Sequence, residues 1–143
     1  YQQILVIKKL LNDFFFNTKV ITSPTIRENS GLALSSRNQF ISDRKKYLTK
    51  TILETLKAIA FDIENFGLKE NKINSIRLKL LKLGFEKVNY IEILKEENLS
   101  KLNSKPSKSR IFISTTIDGI RLIDNVAVKE KLVEQRGLIK TVK

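Results

Sequence analysis

The chain has no cysteine, no histidine, no methionine and no tryptophan. Lack of cysteine excludes disulfides and thiolate metal sites, a usage compatible with a cytoplasmic location. Lack of histidine excludes imidazole acid–base catalysis and His-ligated metals within these residues. Lack of methionine leaves no initiator residue, so the chain is expected to begin inside a longer protein. Long apolar runs are missing too. None approaches the ~18 residues of a membrane span, and residues 4–7, followed by Lys8 and Lys9, are too few for a signal-peptide core. With only two prolines and five glycines, each turn signal is informative. Acidic residues are outnumbered, 15 against 27 Lys and Arg, which gives a formal net charge of +12.

What is present is the composition of a soluble globular protein, 143 residues with 41% hydrophobic and 29% charged. A compact chain of this length buries roughly 68% of its unfolded surface. The positive surplus raises a nucleic-acid-associated binding module as the alternative from another class, acting through phosphate neutralisation. The lysines are scattered, however (Lys8-Lys9, Lys45-Lys46, Lys72, Lys79, Lys82 and onward), and punctuate amphipathic segments as solvated faces do. No zinc-finger, KH or RNP-type aromatic signature accompanies them, so no specific nucleic-acid partner is expected.

Chemistry concentrates in Gly31-Leu32-Ala33-Leu34-Ser35-Ser36-Arg37-Asn38, which follows the turn signal Asn29-Ser30. Two short hydroxyl side chains and a planar, permanently charged guanidinium suit phosphate oxygens: many hydrogen bonds, one bidentate ion contact, little bulk. Upstream, residues 2–16 read as a helix with Ile4, Ile7, Leu11 and Phe14 on one face, widened by Val6, Leu10 and Phe15, which implies burial against a sheet. Val20-Ile21-Thr22 reads as a short strand, and Pro24 holds Ser23 extended. Helix, strand and phosphate-seeking loop in that order look like the closing part of a doubly wound α/β domain, where ligands sit beyond the strand ends.

Taken in order, Tyr1-Gln2-Gln3, Ser23-Pro24-Thr25-Ile26-Arg27-Glu28, Gly31-Leu32-Ala33, Ser35-Ser36-Arg37-Asn38 and Arg121-Leu122-Ile123-Asp124-Asn125 resemble the C-terminal half of the pantothenate synthetase (pantoate–β-alanine ligase) family. That pattern reads D-Y-Q-Q, then V-P-T-x-R-x-x-x-G-L-A-x-S-S-R-N, then T-R-L-I-D-N. The resemblance runs from Tyr1 to about Asn125 and departs at Ser114-Thr115-Thr116-Ile117, where the family has Ala-rich residues. The family's His-x-Gly-His segment, in an N-terminal half, and the Lys-Asp before Tyr-Gln-Gln are not in this chain.

The resemblance implies an α/β fold. Residues 1–40 would be the end of a Rossmann-like, adenylyltransferase-like nucleotide-binding domain. Residues 41–125 would be a small α+β lid domain with antiparallel strands, and 126–143 a poorly ordered basic tail. It also implies an ATP-dependent ligase that joins pantoate to β-alanine through a pantoyl adenylate, a homodimer in the full protein, and a cytoplasmic enzyme. Ser35, Ser36 and Arg37 would contact ATP phosphates, Ile26 and Leu34 would meet the nucleotide with their main chains, and Gln3 would bind pantoate. Gln2 is left as a surface helix residue. No catalytic residue is expected here, the essential histidines lying in the other half, and the isolated chain is expected to be inactive. Magnesium is expected with ATP, held mostly by phosphates and by groups outside the chain; Asp43, Asp62 and Asp118 show no metal spacing.

The remainder predicts a helix from Ser42, as capping residue, to about residue 65, with Leu48, Ile52, Leu56, Ile59 and Ile63 inward and Gly67 as its stop. Residues 72–83 predict a second helix with Ile73, Ile76, Leu80 and Leu83 inward. Residues 88–94 predict a strand whose alternation blurs at Tyr90-Ile91, and 100–109 a loop around Pro106. Two strands around Asp118-Gly119, over residues 111–117 and 120–123, predict a tight hairpin. Arg121, Asp124 and Asn125 read as a structural ion pair with turn hydrogen bonds.

Overall fold

A computed structural model describes residues 1–67, 70–102 and 108–128. Helix α1 spans Gln2–Asp13, shorter than the apolar pattern suggested because Phe15 turns to φ 56° and breaks the ladder. Residues 14–34 contain no helix or strand, and Val20-Ile21-Thr22 makes no ladder hydrogen bond. The expected strand there is absent: β-propensity alone cannot hold a strand without a paired edge, and Ile21 is exposed.

The helix expected from Ser42 is three consecutive pieces: α2 (Asp43–Lys46), a 3-10 turn (Tyr47–Thr49) and α3 (Lys50–Phe66). Its stripe is as predicted, since Leu48, Ile52, Leu56, Ile59 and Ile63 are all buried, and Gly67 ends it. Helix α4 (Glu70–Leu83) buries Leu80 and packs Ile73 and Ile76 against the same core, whereas Leu83 faces outward.

Strands β1 (Lys87–Lys95), β2 (Ser109–Ile117) and β3 (Ile120–Val128) form one antiparallel sheet in the order β1-β2-β3. The β1–β2 register shifts between Val88 and Tyr90. This bulge turns Val88 and Ile91, three apart, to the same helix-covered face. It is the physical cause of the blurred alternation in the sequence. Asp118 (φ 51°) and Gly119 (φ 71°) form the two-residue hairpin loop between paired Ile117 and Ile120. Strand β3 runs on to Val128, paired with Ser109, so residues 126–128 are strand and not tail. The reason is partnership: β2 starts at Ser109, and Val128 closes over the core. Residues 103–107, in the expected loop around Pro106, and 129–143 lie outside the described residues, and Ser109, expected in that loop, begins β2.

One sheet face carries Ile111, Ile113, Ile117 and Leu122 into a core shared with α3 and α4. Leu32 and Ile41, from the segment before α2, belong to that core as well. The other face carries Phe112, which meets the Tyr1 ring with centroids 6.3 Å apart. The start of α1 packs on this second face, whereas Asp124, paired with Ile113, lies on the core face.

Candidate functional site

Residues 26–34 fold back on themselves as a small hairpin. The Glu28 N–H donates to Leu32 O (2.9 Å), the Leu34 N–H to Ile26 O (2.9 Å) and the Gly31 N–H to Glu28 O (2.8 Å). Gly31 has φ +88°, which favours glycine, and a Cβ there would lie 2.9 Å from Leu53 Cδ2, so that leucine methyl would have to shift. Three side chains hold this hairpin. Arg27 donates through Nη1 and Nη2 to the two carboxylate oxygens of Asp124 (2.6 and 3.0 Å), and Nη1 also donates to Gly31 O (2.9 Å). The Asp124 side chain is 2% exposed. Asn38 Nδ2 donates to Glu28 Oε1 (2.5 Å) and to Ala33 O (3.0 Å). A buried carboxylate paired in this bidentate way fixes the direction of its partner as well as its distance.

The expectation of a structural ion pair in the 121–125 string was therefore correct in kind, but its members are Asp124 and the remote Arg27. Arg121 donates through Nε to Ser114 Oγ (2.9 Å), and Asn125 Oδ1 accepts from Arg110 Nη1 (2.7 Å). These residues sit in a strand, not a turn.

Directly after the hairpin, Ser35 Oγ accepts the Arg37 N–H (3.2 Å) and starts a 3-10 turn over Ser36–Phe40. Ser35 keeps its own O–H for donation. Of the predicted nucleotide contacts, Ile26 and Leu34 are exposed (70% and 64%) side by side across the hairpin, Ser36 and Arg37 are exposed, and Ser35 is half-buried. All five thus lie within one continuous surface. The Leu34 N–H is already used by Ile26, which leaves the Leu34 carbonyl for an outside partner.

The start of α1 is fastened to the sheet face that carries Phe112. Arg110 stacks over the Tyr1 ring (4.0 Å to its centroid) while donating through Nε to Glu96 Oε1 (2.9 Å), and the Tyr1 hydroxyl donates to Glu96 O (3.0 Å). This places Gln2 with Arg37, Tyr90, Glu92, Arg121 and Ile123 around an open cleft of about 770 Å³. Gln3 is exposed on the first turn of α1 and does not line that cleft. A second cleft of about 360 Å³ is lined by Tyr1, Ile4, Leu5, Lys8, residues 22–25, Arg110 and Asn125. Sequence reasoning passed over Gln2 and Tyr90 because a single exposed amide and a strand tyrosine carry no spacing signal. Nor could it pair Arg27 with Asp124 across 97 positions.

At the edge of the cleft, Asp118 is held down to a pKa of about 2. Lys45 is the main cause, its Nζ lying 2.8 Å away, followed by the Ser42 hydroxyl (2.7 Å) and N–H (2.9 Å). Ser42 stands at the cap of α2 as predicted, yet its hydroxyl serves Asp118 instead of the helix. The Glu86 carboxyl is lowered as well, first by the Gly119 N–H (3.0 Å). Among the described residues no group of three or more acidic side chains could hold a metal ion, and no helix is long and apolar enough to cross a membrane.

The family described as pantoate-beta-alanine ligase matches residues 1–127. A pantothenate synthetase from Rhodospirillum rubrum is 35% identical over 129 residues, covering 90% of this chain and 46% of that protein. One from Francisella tularensis subsp. novicida is 40% identical over 125 residues, covering 87% and 39%. The crystal structure of pantothenate synthetase from Thermus thermophilus superposes with a TM-score of 0.79 at 29% identity, covering 90% of this chain and 46% of that one. The chain thus spans just under half the length of these relatives.

Proposed function

Because the chain belongs to the pantoate–β-alanine ligase family, we propose that it supplies the nucleotide loop and the lid of an AMP-forming ligase that condenses pantoate with β-alanine. In this reading residues 1–40 close the nucleotide-binding domain and 41–125 form the lid. The pantoate carboxylate attacks the α-phosphorus of ATP and pyrophosphate leaves. The β-alanine amine then attacks the acyl carbon, forming the amide and releasing AMP. A homodimer and a cytoplasmic location belong to the same reading.

The observation that carries it is the pre-set surface of residues 26–37. Ile26 and Leu34 are exposed on a hairpin edge that leads directly into Ser35, Ser36 and Arg37, and the Arg27–Asp124 pair fixes that edge to the sheet. A displacement at phosphorus needs alignment and charge neutralisation more than covalent help. Arg37 and the two serines meet developing negative charge on the phosphate oxygens. Ile26 and Leu34 meet the nucleotide with their main chains, and Gln3 both donates to and accepts from pantoate. Magnesium accompanies the phosphates and draws on groups beyond these residues. With no histidine in the chain, proton transfer by imidazole falls to the family's other half.

The test is a chimera in which this chain follows the N-terminal half of a family member, joined before Tyr1. It should form pantothenate, AMP and pyrophosphate from ATP, pantoate and β-alanine. A folded chimera that binds ATP but forms no pantoyl adenylate refutes the assignment.

A further inference from the structure

We infer that Arg121, on the sheet, is a second phosphate-binding residue, which with Arg37 grips a diphosphate group across the cleft. This rests on the ligase reading, whose first step detaches a diphosphate from a nucleoside triphosphate. Arg27 and Arg110 are each satisfied by a carboxylate, Asp124 and Glu96. Arg37 and Arg121, by contrast, make no ion pair among the described residues, and both line the same cleft of about 770 Å³. They come from different elements, Arg37 from the 3-10 turn after the hairpin and Arg121 from the start of β3.

The Arg121 fork is already aimed. Its Nε donates to Ser114 Oγ (2.9 Å), on a fully buried residue, and its Cζ lies 6.0 Å from the Tyr90 ring centroid. That leaves both terminal nitrogens to donate into the cleft. A monocarboxylate is satisfied by one fork. A diphosphate has two phosphoryl groups, each with oxygens for one planar guanidinium, and so matches two forks facing each other. Glu92 also lines the cleft, two residues along β1 from Tyr90, and its negative charge disfavours an anion beside it.

Inorganic pyrophosphate titrated into the 143-residue chain provides the test, followed through the arginine Nε–Hε resonances with AMP and inorganic phosphate as comparison ligands. Pyrophosphate should shift the Arg121 and Arg37 signals together, and more tightly than either comparison ligand. R121A and R37A should each weaken pyrophosphate binding by about tenfold, the loss of one charge-assisted contact, with R121K recovering part. The wild-type resonances need no variant, so a misfolded R121A does not blunt the test. Unmoved Arg121 signals, R121A binding as well as wild type, or AMP or inorganic phosphate engaging Arg121 as tightly as pyrophosphate each overturn the inference. If R37A alone loses binding, the inference fails while the ligase reading stands. If pyrophosphate moves neither arginine, the inference fails, while the ligase reading is decided by adenylate formation in the chimera.

Discussion

Helices α1 and α3 carry the same kind of apolar stripe, yet they meet opposite fates. Helix α3 buries Ile52, Leu56, Ile59, Ala60 and Ile63 against the sheet, whereas α1 buries no residue fully and shows Val6, Ile7 and Leu10 to solvent. Its start is fastened by Tyr1, but among the described residues its outer stripe stays largely uncovered. Periodicity tells which face of a helix is apolar; it does not tell what covers that face. In the proposed reading the cover is the family's nucleotide-binding half, and the comparison separates a self-sufficient unit from a docking one.

The strongest way to break that comparison is to assay the 143 residues alone. With ATP, pantoate and magnesium they should release no pyrophosphate, and with β-alanine they should form no pantothenate, because half of the proposed site is not on the chain. The same sample should self-associate through α1, since an apolar patch of several hundred Å2 exceeds what soluble monomers tolerate. Turnover by the isolated chain would show that the site is complete within it.

Next in size is a pair of core and surface substitutions. Leu56→Ala empties a fully buried site and should lower unfolding free energy by about 2–5 kcal/mol in urea. Ile7→Ser on the outer stripe should change it by under about 0.5 kcal/mol while reducing self-association. Equal losses would mean that α1 is covered in solution and the contrast is false.

Much of this division was legible beforehand. The α3 stripe, its end at Gly67 and the Asp118-Gly119 hairpin follow from period, stop signal and turn chemistry, all local properties of the chain. The illegible parts are those set at a distance. Val20-Ile21-Thr22 has strand propensity but no edge to join. Residues 126–128 become strand only because Ser109, Arg110 and Ile111 pair with them, and the bulge between Val88 and Tyr90 surfaces in the sequence merely as a lapse in alternation. At the candidate site, Ser35, Ser36 and Arg37 stand out by side-chain chemistry, and the structure leaves Ser36 and Arg37 exposed. Its anchor, Arg27 to Asp124, was not legible, because nothing local marks two residues 97 apart as partners.

Two substitutions probe the sites that each unit contributes. In the active chimera, Arg37→Lys should slow adenylate formation by roughly ten- to thousandfold, the scale of losing one positioned donor to developing charge. Stability should not change, since Arg37 makes no ion pair among the described residues. Single-turnover formation of the adenylate measures it, and an unaltered rate removes the phosphate role. Gln3→Ala should weaken pantoate by about 1–3 kcal/mol and leave ATP affinity unchanged. Separate calorimetric titrations decide, and an equal loss for both ligands would make Gln3 scaffold and shift attention to Gln2 in the cleft.

The smallest effect sharpens the closed unit alone. Asp118 joins the β2–β3 turn to α2 through Lys45 and Ser42, and its folded pKa of about 2 lies below the ordinary 3.8. A depressed acid contributes stability that is fully present above the ordinary value and is lost as pH falls through the folded one. Lys45, raised by the same contact, gives the mirror case: its contribution holds below its ordinary range near 10.5 and fades above its raised value. The group is surface-exposed, so the effect is modest and screened by salt. Asp118→Asn removes the titration while keeping a residue that tolerates the positive φ of this turn. Wild-type Tm should therefore exceed that of the variant at pH 5, and the gap should narrow between pH 4 and 2 as the aspartate protonates. A gap that stays constant across that range would show that the carboxylate's charge does not hold the turn to α2.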